Sequence, residues 1–262
     1  MESAAFKYCQ AERDDGICII TLNRPEVLNA LHLDAHEELS RAFDLYAADP
    51  GLRVAIVTGA GERAFCVGTD LKSLAVTGPY EYPKGGFGGI TTRFDLWKPV
   101  IAAINGLCLG GGAEIVAACD LAIASEHAEI GFPEPLVGLA ALGGGALQRL
   151  AREMPMKDAM WLALTGQRIG AEEARRIGLI NRVVPRGQAL SSAMDLARSL
   201  MECAPLALEA TKQVMLQSIN EPSLEAAMKR SYSAAQRMLS SEDAREGPRA
   251  FAEKRKPRWK GR

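Results

Sequence analysis

Two glutamates near the middle of the chain stand where a carboxylate could transfer protons. Glu114 follows the glycine run Gly110–Gly112, and Glu134 follows Pro133. A carboxylate one turn into a helix, with backbone amides just before it, can act as an acid or a base beside a developing oxyanion. A second carboxylate would allow one group to be the base and the other the acid. The structural alternative is that Glu114 is a first-turn helix residue favoured by the helix dipole and Glu134 a loop carboxylate.

A second glycine turn lies earlier, at Gly68, followed by Thr69 and Asp70. Glycine permits a backbone turn that would expose the Thr69 amide. Equally, Gly-Thr-Asp is a common start of a helix, with Thr69 or Asp70 as its N-cap. The glycine run before Glu114 presents the same choice, because it either exposes amides such as that of Gly111 to a ligand carbonyl or allows close helix packing.

Composition limits the class of protein. The chain has 262 residues and a formal net charge of −1, so we expect no attraction to nucleic acid or to an anionic membrane. Six cysteines lack CxxC spacing, and four of them lie in apolar runs, which is typical of a reducing compartment. The first residues do not resemble a secretory signal, and glycines and polar residues interrupt the longest apolar stretch, residues 99–124. We therefore expect a cytoplasmic protein without a membrane span.

Short β-branched runs alternate with amphipathic segments through the N-terminal part of the chain. Strands are predicted at residues 16–22, 52–58, 100–104, 121–124 and 129–132, and helices at residues 34–48 and 112–119. This alternation predicts an α/β core with repeated crossover units. Between residues 73 and 95, glycines and prolines accumulate and periodicity is lost, which predicts a mobile surface loop.

Beyond about Pro185 every segment has a helical pattern. These segments are residues 188–203, 205–218, 222–239 and 242–255. A helical end that follows an α/β core often serves assembly. The sequence thus predicts an α/β core at residues 1–187, which carries the active site, and a helical assembly region at residues 188–262.

Several segments, taken in chain order, resemble the crotonase (enoyl-CoA hydratase/isomerase) superfamily over nearly the full chain. They are residues 22–31, 65–72, 98–106 with the glycine run that follows, 164–166 and 171–178. Within the superfamily, residues 85–95 and the tail from Ser241 look most like carnitinyl-CoA dehydratases. The resemblance implies an α/β crotonase (ClpP/crotonase-like) fold of repeated ββα units with a helical C-terminal oligomerisation region. It also implies a homotrimer or a homohexamer.

The resemblance implies a hydro-lyase that works on a CoA thioester. The thioester oxygen would be held by the backbone amides of Thr69 and Gly111, which stabilise its developing charge. Glu114 would take the proton of a water that attacks C3, and Glu134 would supply a proton to C2. No cofactor would be bound permanently, since coenzyme A is part of the substrate. Two nearby carboxylates cannot both ionise freely, so one should stay protonated, and the sequence does not assign which.

The same matching assigns residues to coenzyme A. Arg24 and Lys72 match positions that approach the CoA phosphates, Leu28 and Val67 lie in matching CoA-binding segments, and Lys254 matches a lysine that reaches the nucleotide of a neighbouring subunit. For the basic C-terminal tail, the alternative is a solvated charged surface.

Three alternatives stay open at this point. An isomerase on the same fold would usually keep only Glu134, so the presence of both glutamates favours water chemistry. An RNA-binding relative is disfavoured by the near-neutral net charge and by the lack of aromatic residues among the basic ones. His32 and His36 have a spacing that could bind a metal, but no third ligand is apparent, so we expect no metal site.

One departure from the family pattern concerns the water. Ala141 and Leu142 stand where many hydratases have a proline and a glycine, and the amide of that glycine helps to position the water. The position of the water therefore stays open. So do the length and the substituents of the acyl group.

Overall fold

The computed structural model describes residues 6–262, which divide into two units. The first unit contains the residues up to Phe94 and Val100–Ala197, and the second contains Asp95–Pro99 and Arg198–Arg262. No helix among residues 6–262 has both the length and the apolar character that crossing a membrane requires.

The first unit contains two β-sheets. Its strands are β1 (Cys9–Asp14), β2 (Ile17–Leu22), β3 (Val54–Gly59), β4 (Ala64–Cys66), β5 (Val100–Ile104), β6 (Leu107–Leu109), β7 (Leu121–Ser125), β8 (Glu129–Gly131), β9 (Arg168–Gly170) and β10 (Arg182–Val184). The larger sheet has the order β1-β2-β3-β5-β7-β10, and all its pairs are parallel except β1 with β2. The smaller sheet has the order β4-β6-β8-β9, in which only β8 and β9 are antiparallel.

The apolar runs of the sequence form the central strands of the larger sheet. Every residue of β3 and of β5 is buried, as expected for parallel strands that are covered on both faces. Such strands show continuous apolar sequences and not alternating ones. This is why the predictions at residues 52–58 and 100–104 correspond closely to the observed strands.

Helices follow most of these strands. In chain order they are α1 (Leu33–Ala48), α2 (Leu71–Thr77), α3 (Gly111–Ala118), α4 (Ala146–Glu153), α5 (Met156–Thr165), α6 (Ala171–Arg176) and α7 (Ala189–Met201). Short 3-10 turns occupy Pro25–Val27, Phe87–Gly89 and Glu134–Val137. The boundary between the two units falls within α7, after Ala197.

The second unit is helical, with α8 (Pro205–Ser218), α9 (Leu224–Lys229), α10 (Ser233–Ser240) and α11 (Asp243–Ala252). Asp243 is buried and accepts hydrogen bonds from the backbone N–H groups of Lys260 (2.7 Å) and Gly261 (2.9 Å). These bonds attach the C-terminal residues to the start of α11.

The prediction of one helix over residues 222–239 is wrong, because α9 ends before Arg230 and α10 begins at Ser233. The buried Gln213 of α8 accepts a hydrogen bond from the Ala234 N–H (2.7 Å) and donates one to the Ser233 hydroxyl (3.1 Å). The Tyr232 hydroxyl donates to the Ala227 carbonyl (2.8 Å). Side chains from outside the local sequence therefore fix the break between the two helices.

The prediction of a surface loop over residues 73–95 is also wrong in large part. Its first residues belong to α2, and residues 85–91 are buried. The Gly88 N–H donates to Nδ1 of His36 on α1 (3.0 Å), and a β-carbon on Gly88 would lie 2.5 Å from Cδ1 of Ile115 on α3. The segment therefore packs against both helices.

We expect the close packing of Gly89 to be measurable as stability. A β-carbon there would lie 2.4 Å from the Ser40 nitrogen, and φ is +71°, whereas Gly138 has a φ of +75° with no atom within 4 Å of such a β-carbon. Gly89→Ala should therefore lower the free energy of unfolding by about 4 kcal/mol and Gly138→Ala by about 1 kcal/mol. Urea unfolding followed by circular dichroism measures both. Equal losses would show that the contact with α1 does not constrain this segment.

Candidate active site

Glu114 lies in the first turn of α3, directly after β6. Its residue is 2% exposed, and Oε1 accepts hydrogen bonds from the backbone N–H groups of Gly144 (2.8 Å) and Ala146 (3.3 Å). The segment before α4 thus fixes this carboxylate. Its other oxygen, Oε2, lies 3.5 Å from the position that a β-carbon on Gly143 would take.

Glu134 is the first residue of the 3-10 turn that follows β8. Its Oε1 lies 2.8 Å from the position of a β-carbon on Gly110, and its buried Oε2 has no hydrogen-bond partner among the described residues. Because β6 and β8 are parallel neighbours, their C-terminal ends lie at the same edge of the smaller sheet, where the Gly110 N–H donates to the Gly131 carbonyl (2.9 Å). This pairing brings both glutamates to the start of α3.

Burial raises the pKa of both carboxyl groups. For Glu114, burial is opposed by the Gly144 and Ala146 amides and by the positive charge of Arg149, which all favour the ionised form. For Glu134, burial is opposed by a hydrogen bond from its own backbone N–H, and the negative charge of Glu114 raises the pKa further. Glu114 thus has groups on other residues that favour its ionised form, whereas the charge of Glu114 disfavours ionisation of Glu134.

The backbone amides of Thr69 and Gly111 are both unused among residues 6–262. Leu31 donates its N–H to the Gly68 carbonyl and accepts from the Asp70 N–H, each at 2.8 Å, so the Thr69 N–H between them points away from Leu31. A β-carbon on Gly68 would lie 2.9 Å from the Gly111 nitrogen, so the two segments are in close contact. The structure therefore brings the two predicted amide donors together.

Asp70 also caps a helix, as the sequence alternative proposed, since it accepts a hydrogen bond from the Ser73 N–H (3.1 Å) at the start of α2. It pairs with Arg24 at 3.0 Å, and the two side chains are only 13% and 12% exposed. Arg24 also donates to the Ala30 carbonyl. Its guanidinium is therefore engaged within the chain, and its contact with CoA phosphates stays a prediction.

The remaining CoA-binding predictions fall at separate places. Lys72 is exposed in the first turn of α2. Leu28 and Val67 are half-buried in the first unit. Lys254 is exposed just after α11 in the second unit, with a φ of +55°. Their roles stay predictions.

Tyr82 is a site residue that sequence reasoning missed. A β-carbon on Gly143 would lie 2.9 Å from the Tyr82 hydroxyl and 3.5 Å from Oε2 of Glu114, so both groups border the same space. Burial and the charge of Glu114 raise the pKa of Tyr82, while a hydrogen bond with the Thr69 side chain lowers it. Nothing in the glycine- and proline-rich sequence around Tyr82 signals this position.

The histidine pair has structural roles. Nδ1 of His32 accepts a hydrogen bond from the Ala35 N–H (3.2 Å) and caps α1, and Nδ1 of His36 accepts from the Gly88 N–H. Burial, and then the charge of His32, lower the pKa of His36 to about 3. No cluster of three or more His, Cys, Asp or Glu side chains suited to a metal ion occurs in the described part of the chain.

Residues 12–262 match the enoyl-CoA hydratase/isomerase family. The chain belongs to this family. The carnitinyl-CoA dehydratase of Proteus mirabilis (strain HI4320) is 44% identical over 249 residues, which cover 93% of this chain and 94% of that protein. That of Escherichia coli (strain K12) is 42% identical over 256 residues, which cover 95% and 97%. The crystal structure of an enoyl-CoA hydratase from Mycobacterium tuberculosis H37Rv superposes with a TM-score of 0.91 at 40% identity, over 97% of this chain and 99% of that chain.

These relatives confirm the predicted family, the crotonase fold and the class of activity. The protein is an enzyme of the hydro-lyase type that acts on acyl-CoA thioesters. The roles of single residues, the acyl group and the assembly are proposals, which rest on the geometry described above.

The raised pKa of Glu134 makes a prediction about stability. Above that pKa, the folded protein holds a partly buried charge that the unfolded chain exposes fully to water, whereas below the ordinary value of 4.5 the group is protonated in both states. Glu134→Gln should therefore raise the thermal midpoint at pH 8 by about 2–4 °C, as a gain of roughly 1 kcal/mol does in a protein of this size. The gain should shrink as the pH falls towards 5.

Exposed Glu37 supplies the control, because Glu37→Gln removes the same charge without a buried site. Calorimetry at several pH values measures both variants. A Glu134→Gln protein less stable than the wild type at pH 8 would contradict the electrostatic explanation.

Proposed function

We propose that this protein adds water to, or removes it from, the C2–C3 bond of an acyl-CoA thioester, with Glu114 and Glu134 as the acid–base pair. One observation carries the proposal: the buried Glu114 and the half-buried Glu134 flank the start of α3, where the Thr69 and Gly111 amides have no acceptor among residues 6–262. An amide pair beside two proton-transferring groups is the arrangement that this addition requires.

The thioester oxygen binds to the two amides. Its negative charge grows when a nucleophile adds at C3 or a proton leaves C2, and donors fixed in advance stabilise that charge. Gly111 is the first residue of α3, so the positive end of the helix dipole acts in the same direction.

The environment of each glutamate indicates its role in hydration. Two amides and Arg149 favour the ionised form of Glu114 against the effect of burial, and in hydration it takes a proton as the water oxygen attacks C3. Burial and the negative charge of Glu114 raise the pKa of Glu134, which favours its protonated form, and in hydration it gives its proton to C2. Dehydration runs through the same steps in reverse. In an isomerase mechanism, the Glu114 carboxylate would have no role, although two amides hold it in place.

The reaction needs only groups of the chain itself, so the proposal includes no permanently bound cofactor, no metal and no nucleic-acid partner. Coenzyme A enters and leaves as part of the substrate. We place the enzyme in the cytoplasm, in keeping with the buried cysteine thiols of Cys9, Cys18, Cys66 and Cys108.

The helical region at residues 188–262 is proposed to assemble the protein as a homotrimer or a homohexamer. Its helical segments expose several large apolar side chains, and monomeric soluble proteins rarely expose large apolar patches. They include Met215, Ile219, Leu224, Met228, Leu239 and Phe251.

Removing either carboxylate tests the acid–base pair. Glu114→Gln and Glu134→Gln should each lower the kcat for hydration of a 2-enoyl-CoA by about two to four orders of magnitude, which is the usual contribution of a general acid or base. KM should change little, since the amides and the CoA contacts remain. A spectrophotometric assay that follows the loss of absorbance from the conjugated double bond measures kcat and KM.

Glu129→Gln is the matched control, because Glu129 is exposed on β8, the strand that precedes Glu134, and pairs with Arg168 on the surface. It should keep nearly full activity. Glu114→Gln activity above about a tenth of that of the wild type would exclude the two-carboxylate mechanism.

A shared nucleotide site predicts a second set of results. Lys254→Ala should raise KM for CoA substrates about fivefold without dissociating the oligomer, since one exposed contact with a phosphate contributes roughly 1 kcal/mol. Lys256→Ala removes a neighbouring exposed charge and should leave KM unchanged. Truncation before Ser241 should both weaken the oligomer and raise KM. Light scattering that finds a stable monomer with full activity would contradict the shared site.

A further inference from the structure

The Tyr82 hydroxyl lies at the reaction centre although no step of the proposed mechanism uses it. It borders the space in front of Gly143 together with Oε2 of Glu114, at 2.9 Å and 3.5 Å from the same reference point. This Oε2 is the glutamate oxygen that the Gly144 and Ala146 amides leave free, because both of them donate to Oε1. The Tyr82 hydroxyl therefore borders the same space as the carboxylate oxygen, Oε2, through which Glu114 would act as the base.

We infer that Tyr82 is a third catalytic residue, whose hydroxyl binds the oxygen that is added to C3 or lost from it. The inference rests on the proposed function, because only a reaction at C3 places an oxygen between Tyr82 and Glu114. In hydration the attacking water is held between the hydroxyl and the carboxylate. In dehydration the same hydroxyl donates a hydrogen bond to the departing oxygen.

Ring contacts hold Tyr82 in place. Its ring meets that of His36 edge to face, with centroids 5.1 Å apart and an interplanar angle of 89°, and that of Phe87 at 5.7 Å and 66°. His36 is fixed in turn by the Gly88 N–H, which donates to its Nδ1. Such contacts restrain the ring, so the remaining motion of the hydroxyl is mainly rotation about its C–O bond. A donor that is fixed before the reaction is the kind that stabilises developing charge.

The proton balance leaves Tyr82 unchanged. In dehydration, Glu134 removes the C2 proton, the C2–C3 double bond forms, and the C3–O bond breaks with its electron pair going to oxygen. Glu114 gives this oxygen its proton, and water leaves. Tyr82 only donates a hydrogen bond to the oxygen as its negative charge grows. Burial and the charge of Glu114 raise the pKa of Tyr82, which keeps the O–H protonated for this purpose.

The loop that follows Glu134 explains why a further donor is needed. The position of the water was left open because Leu142 replaces a glycine of many hydratases. In the structure the Leu142 N–H donates to the Ala140 carbonyl (2.8 Å), so this amide is already engaged. The Tyr82 hydroxyl borders the space in front of the neighbouring Gly143 and supplies a hydrogen bond there.

Tyr82→Phe tests the inference, with Tyr80→Phe as the matched control. Phenylalanine keeps the ring and its packing. Tyr80 carries a buried hydroxyl without a partner among the described residues, and it lies two positions earlier in the same segment. Two reactions are measured. Hydration is measured on the enoyl-CoA that the wild type hydrates fastest, and exchange of the C2 hydrogens for deuterium is measured on the saturated analogue of that substrate. Exchange uses the amides and Glu134 but no oxygen at C3.

Tyr82→Phe should lower the kcat for hydration about 10- to 100-fold, with KM within about threefold of the wild-type value, and should leave C2 exchange within about twofold. Tyr80→Phe should leave both reactions within about twofold. Thermal melting confirms that both variants are folded.

Two results would overturn the inference while the proposed function stands. One is full hydration activity in Tyr82→Phe, and the other is an equal loss of hydration and exchange, which would mean that Tyr82 only supports the shape of the site. Failure of the proposed function looks different: the wild type would hydrate no enoyl-CoA, or Glu114→Gln would hydrate as fast as the wild type.

Discussion

The start of α3 lies closer to its neighbours than any side chain would permit, and the rest of the site depends on this approach. A β-carbon on Gly111 would lie 2.1 Å from Cζ of Phe87, and one on Gly112 would lie 2.1 Å from the Cys66 carbonyl oxygen. Any larger residue would push the helix away from β4 or from the segment that carries Phe87. The glycine run therefore serves both alternatives that the sequence left open, since it allows close packing and leaves an amide without an acceptor at the positive end of a helix.

Close packing at this helix has an electrostatic cost. It removes the Glu114 carboxyl group and part of the Glu134 carboxyl group from water, which raises the pKa of both and lowers stability at neutral pH. Glu114 is compensated through Arg149, which donates to the carbonyls of Gly144 and Thr91, each at 2.7 Å, and so holds the loop whose amides bind the carboxylate. Among residues 6–262, no group donates a hydrogen bond to Oε2 of Glu134. Unequal compensation of two similar groups is what separates a base from an acid, and sites of this kind sacrifice stability for that difference.

The sequence predicted those parts of the structure that local patterns determine. The helix from Leu33 to Ala48, the central strands and the approach of both glutamates to one glycine run follow from periodicity, turn residues and family resemblance. Tyr82 and the buried segment at residues 85–91 could not be predicted, because glycine and proline are typical of an exposed loop. Their burial depends on His36 and Ile115, which belong to helices distant in sequence. The break before α10 depends in the same way on Gln213.

His36 shows how a residue outside the chemistry can protect it. Its Nδ1 accepts a hydrogen bond from the Gly88 N–H, so the proton of the neutral ring must lie on Nε2, and protonation of Nδ1 would break this attachment. Burial, and then the charge of His32, lower the pKa of His36 to about 3. The carboxyl groups of Glu114 and Glu134 have pKa values raised above 4.5, so they take up protons at a higher pH than His36 does. On acidification, the proposed base is therefore protonated while the segment that carries Phe87 is still attached to α1.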